Sequence, residues 1–169
     1  MSENNIKHRV FARHSGVPVS DRLSIPLIKW CVRKTLEIEG VDLPCEVSVL
    51  ITDDRGIREI NNEFRGKNEP TDVLSFPMQE FSPPGWDAAQ VHRQDELETG
   101  YLPIGDIVMY AGRVVSQAQE NMQTRESETA YLTVHSVLHL LGYDHMDEAE
   151  NKKKMREREK EIIMELDKF

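Results

Sequence analysis

Three of the chain's six histidines fall within eleven residues, in the run His135-Ser136-Val137-Leu138-His139-Leu140-Leu141-Gly142-Tyr143-Asp144-His145. His135 and His139 are four apart, so on a helix they share one face, one turn apart. Gly142 offers that helix a left-handed exit, after which the chain can fold back and bring His145 toward the same point. Three neutral imidazoles converging in this way leave the fourth position of a tetrahedral zinc open to water, as catalytic sites do. A closed structural site would more naturally show four ligands with cysteines among them. A lone HxxxH pair is common on ordinary helices, but a third histidine just past a glycine exit argues against chance. The pattern predicts a hydrolase holding one Zn2+ through His135, His139 and His145.

The position after the first histidine is Ser136, where the usual metallopeptidase motif carries a glutamate as general base. Serine cannot fill that role, which weakens a zinc metallopeptidase reading without excluding a base from elsewhere in the fold.

These residues need a scaffold, and 169 residues suffice for one domain with its own core. We expect a single catalytic domain over residues 1–169. No stretch approaches the roughly 20 apolar residues of a membrane span. The first residues, Met1-Ser2-Glu3-Asn4-Asn5, lack the basic-then-apolar order of a secretory signal. Cys31 and Cys45 do not resemble a disulfide framework, and Cys31 falls in an apolar helical pattern. A cytoplasmic protein without a membrane partner is expected. The net charge of −9 argues against coating nucleic acid by bulk electrostatics, but not against a nuclease with a small local basic site.

Hydrophobic spacing supplies the elements. Ile6, His8, Val10 and Ala12 alternate with Lys7, Arg9, Phe11 and Arg13, which suggests a first strand. A helix opens after Ser24 with Pro26 in its first turn and closes at Gly40. A second strand covers Val47, Val49 and Ile51. A helix capped by Asp53 or Asp54 follows, with Ile57, Ile60 and Phe64 on its apolar face and Gly66 at its end. Asp72 to Phe76 and Ile104 to Tyr110 read as further strands, with a long loop over 79–103 between them. Helices are expected over Gly112 to Met122, from about Arg125 through the first two histidines, and from an Asp147/Glu150 capping pair toward Leu166. The fold class is therefore α/β (α+β), with a mixed four-stranded sheet and the histidine helix across one face.

Three blocks carry a family resemblance. They are the histidine motif, Pro70-Thr71-Asp72-Val73-Leu74-Ser75-Phe76-Pro77, and Gly105-Asp106-Ile107-Val108, with Asn61-Asn62-Glu63-Phe64-Arg65-Gly66-Lys67 upstream. From about Val47 onward the chain resembles the YbeY family of bacterial zinc-dependent endoribonucleases, which act in rRNA maturation and ribosome quality control. Two departures are visible: Ser136 stands where the family usually has glycine, and the segment between Phe76 and Gly105 is longer than expected. The resemblance implies cleavage of single-stranded RNA in 3′-end maturation of small-subunit (16S) rRNA. It also implies ribosomal proteins and a ribosome-associated GTPase as partners. A zinc so held lowers the pKa of bound water to about 7 and polarises a phosphoryl oxygen; attack by water or by a substrate 2′-hydroxyl stays open.

The resemblance also singles out Arg65 as a catalytic residue, able to grip phosphate oxygens bidentately. Position alone would make it a surface arginine favourable to a helix C-terminus. Asp144 and Asp106 are candidates to orient a ligand imidazole, and Thr71, Asp72 and Ser75 to line a cleft. By strand alternation Asp72 and Ser75 should point opposite ways. His8, His14 and His92 draw no function, and Lys152-Lys153-Lys154 with Arg156 and Arg158 reads as a solvated helix face. A third possibility is a non-catalytic, zinc-stabilised ribosome assembly factor, in which the metal serves folding only.

Overall fold

The computed structural model describes residues 6–96, 98–143 and 149–168. Strands β1 (Arg9–Ser15), β2 (Cys45–Thr52), β3 (Val73–Pro77) and β4 (Leu102–Tyr110) form one sheet in the order β1-β2-β4-β3. Helices α1 (Ile25–Ile38) and α2 (Asp54–Arg65) follow the first two strands. α3 (Ala111–Glu120), α4 (Arg125–Leu140) and α5 (Ala149–Leu166) follow the last. β1, β2 and β4 run parallel and β3 pairs antiparallel with β4, giving the expected mixed sheet. The β1–α1–β2 crossover explains the first parallel pair, since parallel neighbours need a long return and a helix supplies it.

Local signals set the boundaries. The Ser24 hydroxyl accepts from Leu27 N at 3.3 Å, and Asp53 caps α2 by accepting from Gly56 N at 2.9 Å. Gly66 closes α2 at φ 68°, the left-handed turn that glycine adopts without steric cost. The Asp147 half of the proposed capping pair lies outside the described residues. β4 begins two residues earlier than the alternation suggested. The long loop holds two short 3-10 turns, Ala88–Gln90 and Arg93–Glu96.

The two faces of the sheet are covered unequally. Val47, Val49, Ile51, Ile107 and Met109 pack with Ile28, Val32 and Leu36 of α1 and with Leu132, Val137, Leu140 and Leu141 of α4. On the other face Ile57 of α2 meets Leu74 and Val108. A further layer forms where Met155, Ile162 and Leu166 of α5 cover Cys31 of α1 and Val134 and Leu138 of α4. Helix α4 is thus enclosed by sheet and helices together. From residue 131 to 140 every position is buried except Tyr131, His135 and His139, a single strip at four-residue spacing. The Thr129 and Thr133 hydroxyls return to the carbonyls of Arg125 and Thr129, each at 2.7 Å, so their burial leaves no polar atom unsatisfied.

Gly105 shows how tightly β4 is held under this helix. A Cβ there would lie 2.4 Å from the Phe76 carbonyl oxygen and 2.7 Å from Leu140 Cδ2, so only glycine lets β3 and α4 approach together.

The remaining reactive groups are structural. Cys31 and Cys45 are buried, and burial pushes both thiols up to about 12. His8 Nδ1 accepts from Cys45 N at 3.3 Å and His14 Nε2 from Leu23 N at 3.2 Å, which requires an unprotonated nitrogen. Burial, with Arg33 against Glu37 at His8 and with Arg22 at His14, holds both rings below the usual 6.5. In the unfolded chain they take up protons at higher pH than in the native state. Their contribution to stability is therefore complete above 6.5 and is lost as pH falls below it. The midpoint of thermal unfolding should drop between about pH 7.5 and about 5.5, and drop less in His8→Gln. An equal drop in that variant would remove His8 from the account.

Candidate active site

A cleft of about 950 Å³ runs along β3, the outer strand on this side of the sheet. Val73, Ser75 and Pro77 of β3 line it, with Arg65 and Lys67 from the end of α2 and the turn that follows. Thr71 and Asp72 come from just before the strand and Gln79, Glu80 and Phe81 from just after it. His135 and His139 of α4, with Gly142 and Tyr143, complete the lining. Residues distant in sequence meet here because α4 crosses the sheet beside β3.

The two imidazoles face each other. His135 Nε2 and His139 Nε2 are 3.0 Å apart, and the rings are nearly perpendicular at 81°, centroids 4.5 Å apart. Beyond them the helix ends as the sequence suggested. Gly142 N donates to the His139 carbonyl and Tyr143 N to the Leu138 carbonyl, each at 3.1 Å, with Gly142 at φ 90°. A Cβ on Gly142 would meet the Phe81 carbonyl oxygen at 2.8 Å. Gly142→Ala combines left-handed strain with that contact, at about 1–3 kcal/mol. It should lower the unfolding midpoint, and it should weaken metal uptake because the segment toward His145 is re-aimed. A variant as stable as the parent would refute the strain argument.

His145 and Asp144 lie outside the described residues. Among the described residues, no group of three or more His, Cys, Asp or Glu side chains is gathered to hold a metal. The donor set present nevertheless fits one. Two imidazole nitrogens from one helix converge on a common point, and His135 Nδ1 is 2.6 Å from Glu159 Oε1 of α5. The Ser75 hydroxyl, buried on the cleft wall, has no hydrogen-bond partner among the described residues.

Arg65 is the last residue of α2, exposed, and lines the same cleft as the histidines. Among the described residues its guanidinium forms no ion pair, so it is not consumed by the scaffold. Lys67 adds a second cation that the sequence reading did not single out. Asp72 and Ser75 both line the cleft, against simple alternation. β3 starts at Val73, and Asp72 instead ends the preceding turn, accepting from Val73 N at 2.8 Å and from Gln117 Nε2 at 3.3 Å.

Asp106 does not orient a histidine. It pairs with Phe76 in register and shares the α2 face of the sheet with Val108, opposite to α4. Burial, then the nearby Glu46 charge, pushes its carboxyl up. Among the described residues, a carboxylate that does touch a cleft histidine is Glu159, which the sequence reading passed over. A signal existed: Met155, Ile162 and Leu166 mark the apolar stripe of α5, and Glu159 sits on it. A charge on such a stripe points to a specific partner.

The long loop is anchored to this site. Gly85 N donates to the Leu141 carbonyl at 2.9 Å, Trp86 Nε1 donates to Asp42 Oδ1 at 2.7 Å, and Phe81 packs against Trp86. Buried Gln79 accepts from His92 N at 3.1 Å and donates to the Pro103 carbonyl at 3.1 Å. Tyr143, just past the helix exit, donates to Glu39 Oε2 at 3.0 Å; burial, then Glu39, pushes its hydroxyl up to about 12. Arg158 also binds Glu39, and Lys152, Lys153 and Lys154 are exposed, so the basic stretch of α5 divides into scaffold and solvated face.

An α/β domain with an imidazole pair and a guanidinium lining one open cleft has the parts of a hydrolase for phosphate-bearing substrates. The comparisons agree. The model of the Endoribonuclease YbeY family matches residues 12–167, and the chain belongs to that family of endoribonucleases. Endoribonuclease YbeY of Clostridium botulinum (strain Eklund 17B) is 43% identical over 160 residues, spanning 92% of this chain and 95% of the relative. The Thermoanaerobacter sp. (strain X514) protein of the same name is 42% identical over 140 residues, spanning 83% and 86%. The solution structure of TM1509 from Thermotoga maritima is similar at a TM-score of 0.55. It is 29% identical, covering 90% of this chain and 87% of that one.

Proposed function

We propose that this chain is a single-domain, metal-dependent endoribonuclease that cleaves single-stranded RNA. Its substrate is the small-subunit rRNA precursor, cut in 3′-end maturation. The observation that carries the reading is the shared cleft, with a converging imidazole pair and an arginine not used by the scaffold. His135, His139 and His145 would hold one Zn2+, the metal that three imidazoles suit when one position stays open. Bound there, zinc supplies a Lewis acid and lowers the pKa of coordinated water.

The chain's own residues do the rest. Arg65 grips phosphate oxygens and balances charge as it builds, and Lys67 adds attraction for the backbone. His135 and His139 bring their Nε2 atoms to within 3.0 Å of each other at the cleft. Ser136, standing where a peptidase would carry its glutamate, is fully buried, so α4 offers no base there. No described helix is long and apolar enough to cross a membrane. The family resemblance, not this absence, is what points to work in the cytoplasm beside ribosomal proteins and a ribosome-associated GTPase.

The test is cleavage of a labelled precursor of the small-subunit rRNA 3′ end by zinc-loaded protein, with His139→Ala prepared identically to exclude contaminating nuclease. Cleavage by the wild type alone supports the proposal. If wild type holds zinc yet cuts neither this RNA nor the same RNA within the ribosomal subunit, the nuclease reading falls.

A further inference from the structure

Glu159 is 4% exposed, on a helix stripe otherwise made of Met155, Ile162 and Leu166. A buried carboxyl group costs several kcal/mol unless its oxygens are satisfied, and here both are used. Oε1 lies 2.6 Å from His135 Nδ1, and Oε2 accepts from the Tyr131 hydroxyl at 3.0 Å. A carboxylate oxygen is an acceptor, so this contact matches a His135 ring proton on Nδ1, with the Nε2 lone pair facing the cleft. That Nε2 is the atom 3.0 Å from His139 Nε2. Tyr131 precedes His135 by one turn on the same strip of α4, so it steadies the carboxyl group from the side away from the cleft centre.

We propose that Glu159 is the positioning residue of the metal centre: its carboxyl group fixes His135 in the tautomer and ring orientation that aim Nε2 at the point His139 also faces. The inference rests on the metal reading above. Helix α5 thereby becomes part of the site without touching substrate. A carboxylate on the far nitrogen also makes the near nitrogen a better donor to a cation.

A two-bond 1H–15N correlation spectrum of the metal-free protein should show His135 as the Nδ1–H tautomer. Glu159→Gln retains an acceptor oxygen and should keep that tautomer. Glu159→Met preserves bulk without an acceptor. It should pass to the Nε2–H form that free imidazole prefers, and bind zinc roughly 10–100-fold more weakly in chelator competition, with Gln recovering most of the loss. An Nε2–H ring in the wild type overturns the proposal, and this measurement decides even if the Met variant fails to fold. A folded Met variant with unchanged tautomer and zinc affinity overturns it too, as does a folded Gln variant that restores neither. A wild type that takes up no zinc sinks the metal reading itself. Zinc in the wild type with indifferent variants sinks only the role of Glu159.

Discussion

His139→Ala is expected to lose bound metal and RNA cleavage together. Its Nε2 is one of two nitrogens that converge within 3.0 Å, and nothing else on the same face of α4 can replace it, since Ser136 and Leu140 are buried. Four-ligand structural zinc sites contribute about 10–16 kcal/mol, so losing one of the three proposed ligands should cost on the order of 3–4 kcal/mol, a few-hundred-fold in affinity. The fold should survive, because His139 is only half-buried and lines the open cleft instead of the apolar core. Metal content after gel filtration and cleavage of the labelled precursor should fall in parallel. A His139→Ala protein that cuts at the parental rate without metal would refute the metal-centred account.

Arg65→Ala is expected to separate the two properties. The residue lines the cleft from α2, on a different element from both histidines, so its loss leaves the imidazole pair untouched. Zinc uptake should match the parent. Removing one charged donor from developing transition-state charge typically costs roughly 10²–10³ in rate, and the drop in cleavage should fall in that range. Arg65→Lys should recover only part of it, because an ammonium cannot form the paired hydrogen bonds of a guanidinium. The exposed helix-end position means little stability is at stake, which removes unfolding as an explanation. Undiminished cleavage by a folded, zinc-loaded Arg65→Ala would reduce Arg65 to a helix-terminal charge.

Local chemistry was legible in the residues alone. Ser24, Asp53 and Gly66 announced their helix ends because caps are short-range events within one turn, and Gly142 announced the exit of α4 for the same reason. Four-residue spacing was enough to place His135 and His139 on one face, since the helical period does not depend on what surrounds the helix. The order of helices and strands was enough for a mixed sheet of this size.

What needed the tertiary structure was every relation between elements. Asp106 looked as eligible as any aspartate to support a histidine, yet β4 turns it toward α2 while α4 lies on the opposite face. The alternation that should have parted Asp72 from Ser75 stopped one residue short, because the strand begins at Val73. Glu159 is 24 residues from His135, and only the packing of α5 on α4 brings its carboxyl group to 2.6 Å. Sequence determined which side chains could do chemistry and which local turns present them, because those depend on neighbours a few residues away. Which cation, carboxylate and strand edge share the histidines' cleft was decided by helix and sheet packing, where apolar burial sets the geometry and the polar groups follow it.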